Sequence, residues 1–161
     1  MRALLARLFG GAEPTLVIAT PRDAAALATL HAASFNRGWS EHEFEQLLTE
    51  RSVVAERAAQ GRASVGFIVS RRAADEAEIL SVAVAQRWRG RGLARRLLDL
   101  HLRRLAGLGL RTVFLEVDED NVPARRLYSR AGFSEVGRRP GYYPGAAGKQ
   151  TSALILRRDL V

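Results

Sequence analysis

At 161 residues, with 47% hydrophobic and 26% charged positions, the chain has the balance of one ordinary globular domain and is long enough to bury a core without covalent staples. The absence of cysteine excludes disulfides, a thiol nucleophile and a thiolate metal site. A net charge of +8 permits an anionic partner (nucleic acid, ribosome, membrane surface or a polyphosphate) without selecting one, because the basic residues, all arginine but for Lys149, are spread along the chain.

Residues 1–11 put Leu4, Leu5, Leu8 and Phe9 on one helical face. They predict a short amphipathic helix in an extension over 1–14, ahead of a single domain over 15–161. Arg7 interrupts the apolar run and no small-residue cleavage site follows, so a secretory signal is not expected and the location is read as cytoplasmic, with no membrane partner. A strand over 15–19 ends at Pro21, and Asp23 is expected to cap a helix reaching Phe35 with Ala26, Leu27, Leu30 and Ala33 inward. Ser40 and Glu43 form a capping box for a second helix carrying Phe44, Leu47 and Leu48. Residues 52–57 and 63–70 read as a hairpin about Gly61, and 76–85 as the next strand. A helix over 91–108 and a strand over 112–117 follow. Asn121 with Pro123 opens a helix that Gly132 closes, after which 133–136 starts a strand. Residues 137–150, rich in proline and glycine, read as a long irregular loop, and 151–157 as the closing strand. These elements predict an α/β (α+β) fold: a mixed, largely antiparallel sheet of about six to seven strands flanked by helices.

The chain is organised around residues 79–98. An apolar β-prone run, Ile79 to Val84, meets a helix with Leu93, Leu97 and Leu98 at helical spacing, so 87–92 must be the turn between them. Gly90 and Gly92 leave backbone N–H groups accessible at the positive end of the helix, a good phosphate cradle, and Arg87, Arg89 and Arg91 add charged donors. The P-loop is excluded because it needs a lysine here, and Lys149 is the chain's one lysine. The dinucleotide fingerprint is excluded because Arg95 stands where its third glycine belongs.

Glu116 lies in a run apolar enough to be buried on both faces, where a carboxylate is costly unless it has a partner or a task such as general base; the alternative is an arginine-paired or strand-end carboxylate reaching solvent. Tyr128 has the spacing of a core aromatic. His31, His42 and His101 lack ligand spacing, and no metal is expected. Trp39, in a polar inter-helix loop, is either a packed lid or part of a pocket wall. Asp118, Glu119 and Asp120 read as a solvated turn that could also attract a cationic substrate.

Taken in order, Ile79 to Val84, Arg87-x-x-Gly90-x-Gly92, Leu115-Glu116-Val117, Asn121, Leu127-Tyr128, Gly132-Phe133 and Tyr142-Tyr143-Pro144 resemble the GNAT N-acetyltransferases. Trp39-Ser40 and the tyrosine pair are similar to those of the RimI-type group, which acetylates the N-terminal alanine of a ribosomal protein. The resemblance covers about residues 15–156 and implies a set of roles. Acetyl-coenzyme A is the co-substrate, held by the backbone of Val82, Ala83 and Val84 along its pantetheine arm. Its pyrophosphate lies on Arg87, Arg89, Gly90, Arg91, Gly92, Leu93 and Ala94, with Asn121 beside it. Glu116 is the general base for an attacking amine, Tyr128 serves the departing thiolate, and Trp39, Tyr142 and Tyr143 border the acceptor. The implied partner is a protein N-terminus, with no nucleic acid required; an acceptor that is a small amine or a lysine side chain stays open. So does a non-catalytic ribosome- or RNA-binding module using the +8 charge.

Overall fold

The computed structural model describes residues 11–145 and 148–160; the amphipathic helix expected at the N-terminus lies outside them. Seven strands form one sheet: β1 Thr15–Ile18, β2 Val53–Gln60, β3 Ala63–Ala73, β4 Glu76–Val84, β5 Thr112–Asp118, β6 Ser134–Pro144 and β7 Gln150–Asp159. Their order is β1-β2-β3-β4-β5-β7-β6, and every neighbouring pair is antiparallel except β4 with β5. The parallel pair needs a crossover. It is supplied by α3, Leu93–Gly107, after α1, Ala24–Ser34, and α2, Glu41–Thr49; α4, Val122–Arg130, follows β5.

The sheet carries a core on each face. Leu93, Leu97, Leu98, Leu102 and Leu105 of α3 pack with Tyr128 and Ala131 against Ile79, Val113, Leu115, Val117 and Leu154. On the other face Leu27, Leu30, Phe44 and Leu47 of α1 and α2 cover Ala55, Phe67, Val69 and Ala83. The expected caps at Ser40 and Asn121 form: the Glu43 N–H donates to Ser40 Oγ at 3.1 Å and the Ala124 N–H to Asn121 Oδ1 at 3.2 Å.

Several expectations need correction. Residues 137–144 are not loop: β6 runs on to Pro144, with register shifts that absorb Pro140 and Gly141 and with Tyr143 opposite Thr151. Strand β5 buries one face only, since Val113, Leu115 and Val117 are buried while Phe114, Glu116 and Asp118 alternate with them half-buried. Asp23 does not cap α1. It accepts a 2.8 Å hydrogen bond from the Thr20 N–H at a 3-10 turn, Pro21–Asp23, and pairs with Arg57 at 3.0 Å. The inward face of α1 uses Ala24 and His31 beside Leu27 and Leu30, and Ala33 is exposed.

Candidate functional site

The site begins where two strands part. β4 and β5 pair only at residues 76–79 against 112–115, although β4 continues to Val84 and β5 to Asp118. The cause lies on the other edge of β4: Val69 pairs with Ser81 and Ser70 with Ile79, so Leu80 is an extra residue. Such a bulge bends and twists its strand. Beyond it, the edge of β4 that carries Val82, Ala83 and Val84 has no β5 partner. Ser81 Oγ, buried at the bulge, has no hydrogen-bond partner among the described residues. An opened strand edge and an orphaned hydroxyl both fit an extended polar ligand entering between the strands.

At the end of β4 a 3-10 turn, Gln86–Trp88, leads into the glycine turn. Gly90 and Gly92 have φ of +73° and +79°, a region that glycine enters at no steric cost, and a Cβ on either would meet nothing within 4 Å. The space over the turn is therefore open, at the start of the 15-residue α3. Trp88, which the sequence reading did not single out, anchors the turn: it is buried in the core under α3, and the Arg91 guanidinium lies 4.8 Å from its ring centre. Leu93 is buried there too, and Ala94 packs against the same cluster. Arg87 is exposed. Arg89 is engaged within the protein by two of its nitrogens. Its Nε donates to the Val84 carbonyl at 3.2 Å and its Nη2 to Ser34 Oγ at 3.4 Å, tying the turn to α1.

Glu116 and Tyr128 flank the opening from opposite faces of the sheet. Tyr128 belongs to the cluster that holds Val84, Leu115 and Val117, and strand alternation turns Glu116 the other way. Tyr128 is 8% exposed and packs edge-on to Phe133 at 5.7 Å. Burial pushes its phenol up to about 12. Glu116 Oε1 lies 3.0 Å from Arg139 Nη2, so the carboxylate is arginine-paired; which arginine pairs with it was not legible, because Arg139 stands on a stretch read as loop.

Of the residues expected at an acceptor site, the tyrosine pair lies beside Arg139, the partner of Glu116, and Trp39 lies over the α1–α2 core. Tyr142 and Tyr143 meet edge-on at 5.0 Å, and Tyr142 is 52% exposed. Burial first, then the charge of Glu116, holds the Tyr143 phenol above its usual range. Trp39 is half-buried and stacks on His31 at 4.4 Å, and its backbone N–H donates to His31 Nδ1 at 3.0 Å. That pairing makes Trp39 a packed lid over the α1–α2 core. His31 is held below the usual imidazole range by burial.

Of the other two histidines, His42 is exposed and His101 is fully buried beneath α3. No group of three or more His, Cys, Asp or Glu capable of holding a metal occurs among the described residues, and none of their helices is long and apolar enough to cross a membrane. A cavity of about 460 Å³ opens elsewhere, between Arg125, Arg126 and Arg130 of α4 and a floor of Phe133, Leu154 and Leu156.

The sequence matches the acetyltransferase (GNAT) family over residues 24–133. It is 35% identical over 92 residues to the ribosomal protein bS18-alanine N-acetyltransferase of Haemophilus influenzae, covering 57% of this chain and 62% of that protein, so the match spans less than two thirds of the Haemophilus protein's length. To the protein of the same name from Escherichia coli K12 it is 31% identical over 117 residues, 73% of this chain and 78% of that one. The fold matches the crystal structure of the ribosomal-protein-S18-alanine N-acetyltransferase from Escherichia coli with a TM-score of 0.85 at 26% identity, covering 91% of this chain and 94% of that one.

Proposed function

The chain belongs to the GNAT acetyltransferase family, and from that premise we propose that it moves an acetyl group from acetyl-coenzyme A to a protein N-terminal α-amine, in the first instance the N-terminal alanine of a ribosomal protein. The observation that carries the proposal is the parting of β4 and β5 after Ile79 and Leu115, with the glycine turn at one end and Glu116 and Tyr128 on opposite faces. The names of the Haemophilus and Escherichia coli relatives support the choice of acceptor.

Each feature then has a task. The free edge of β4 holds the pantetheine arm in the manner of an added strand. N–H groups at the start of α3 receive the pyrophosphate. Glu116, on the acceptor face, takes a proton from the amine as its nitrogen attacks the thioester carbon. An α-amine, with a reference pKa of about 7.7–8.0 against about 10.4 for lysine, asks little of that carboxylate near neutral pH. The C–S bond breaks towards the other face, where Tyr128 donates a hydrogen bond to the leaving thiolate. Its phenol, at about 12, holds its proton too tightly to give it up outright: transfer to a thiolate near 8.5 is uphill by about 5 kcal/mol.

Incubation with acetyl-coenzyme A and an Ala-starting basic peptide, followed by mass spectrometry to locate any added acetyl group, tests this reading. Acetyl on the α-amine is expected. Transfer only to lysine side chains or to free polyamine would overturn the acceptor assignment, and salt-sensitive RNA binding without turnover would overturn the enzyme.

A further inference from the structure

Glu116 does not face the acceptor side alone. In the sheet register Asp118 pairs with Ala153 of β7, and Ala153 pairs with Arg139 of β6, so Arg139 shares the face of Asp118 and Glu116. Ala153 presents only a methyl group between them. Over it Arg139 reaches Glu116, Nη2 to Oε1 at 3.0 Å, with its guanidinium 5.4 Å from the Tyr142 ring centre. The two ends of the pair differ in exposure, 54% for the Arg139 side chain and 22% for Glu116. The neighbouring arginine is engaged elsewhere: Arg138 donates to Glu119 at 2.6 Å, and Glu119 is fixed by the Ser152 N–H at 2.9 Å. Arg139 makes no second ion pair among the described residues.

A carboxylate that holds a guanidinium on one oxygen takes a proton less readily from an amine or from water, because the positive charge beside it favours the ionised form. We propose that Arg139 is a positioning residue that occupies Glu116 until the acceptor's ammonium displaces it, so that the base is withheld from water whenever acetyl-coenzyme A is bound without an acceptor. The inference rests on Glu116 as the base. Exchange of one cation for another leaves the charge around Glu116 unchanged, and the exposed guanidinium has the face of Tyr142 to move along as it leaves. Without Arg139, a water can lose a proton to Glu116 as its oxygen attacks the thioester carbon. The C–S bond then breaks, acetate forms, and coenzyme A departs as a thiolate that takes its proton from solvent. The arginine thus sets the ratio of productive transfer to idle hydrolysis.

The test is thiol release from acetyl-coenzyme A without acceptor, measured for wild type, Arg139→Gln, Arg139→Lys and the double variant Glu116→Gln/Arg139→Gln, together with the KM and kcat of each single variant for an Ala-starting peptide. Arg139→Gln is expected to raise idle release about fivefold and to lower the peptide KM about threefold at little-changed kcat, the scale of a half-exposed ion pair. Arg139→Lys is expected to stay near wild type, and the double variant to lose the rise. Unchanged idle release in Arg139→Gln, a rise that survives in the double variant, or a higher peptide KM would overturn the proposal. Calorimetry with acetyl-coenzyme A separates the two levels. A wild type that neither binds it nor transfers acetyl overturns the site reading and this inference together, whereas binding and transfer with unchanged idle release in Arg139→Gln overturn this inference alone.

Discussion

Glu56, midway along β2, accepts a hydrogen bond from Nδ1 of His101, midway along α3, and neither side chain is more than 2% exposed. A carboxylate only accepts, so the imidazole carries a proton on Nδ1; Nε2 lies 2.6 Å from Ser70 Oγ on β3, and Arg104 Nη1 donates to the second oxygen of Glu56 at 2.7 Å. The helix that begins at the glycine turn is thereby fixed to the middle of two strands. Burial alone would raise the Glu56 carboxyl, but the hydrogen bond and charge of His101, with Arg104, outweigh it and hold it below the usual range. A depressed carboxyl contributes stability that is fully present above its unfolded value and lost as pH falls through its folded one. Glu56→Gln is therefore expected to cost about 3–5 kcal/mol near neutral pH and to flatten the loss of stability below about pH 4.5. Denaturant unfolding of both proteins across pH 3 to 7 checks it; parallel curves would remove Glu56 from the acid response.

Glu116→Gln keeps the shape of the side chain and removes the proton acceptor. With the amine then deprotonated only by solvent, kcat is expected to fall by about 10²–10⁴. The acetyl-coenzyme A affinity should change little, because the cradle at Gly90 and Gly92 and the free edge of β4 do not involve this carboxylate. Steady-state rates with an Ala-starting peptide, set beside calorimetric titration of acetyl-coenzyme A, decide the matter. A variant that keeps its rate would exclude Glu116 as the base.

What could be read from the chain alone was local. The strand, glycine turn and helix over residues 79–98 announce themselves because apolar period and turn chemistry lie within one short stretch, and the caps at Ser40 and Asn121 are set by neighbours three residues away. What could not be read depends on pairing at a distance. The opening between β4 and β5 needs the bulge at Leu80, which is defined against β3. The Arg139–Glu116 contact needs β6 to run through a stretch whose proline and glycine read as loop. Glu56, Ser70 and His101 come from separate elements, so nothing in the spacing of these residues announces their network. No periodicity shows that Ser34 stands beside Arg89.

Tyr128 at about 12 stays neutral through the whole working range, so its expected part is that of a fixed O–H donor. Tyr128→Phe keeps the ring against Phe133 and removes one hydrogen bond to a developing charge, worth about 1.5–3 kcal/mol, or about 10- to 150-fold in kcat. The wild-type profile of kcat against pH should show no alkaline fall from this phenol below about pH 11. A fall near pH 9 to 10 in the wild type that disappears in Tyr128→Phe would show that the phenol ionises within the working range, and would overturn its part as a fixed donor.

The glycine turn can be separated from the helix it opens. An alanine at Gly90 or Gly92 would meet no neighbouring atom, so its cost is that of the left-handed backbone alone, about 1–2 kcal/mol for a residue with a Cβ. If the turn answers by shifting its φ, the N–H groups leave their aim, and the acetyl-coenzyme A Kd is expected to rise about 5- to 30-fold. Gly107, in the last turn of the same helix, also faces open space but has no left-handed φ. Alanine there should add about 0.5–1 kcal/mol of stability and leave the Kd where it was. Titration calorimetry and thermal unfolding of the three variants compare a change of backbone at the cradle with the same change of side chain 15 residues beyond Gly92 on one helix. Equal Kd values across all three would show that the ligand does not rest on this turn.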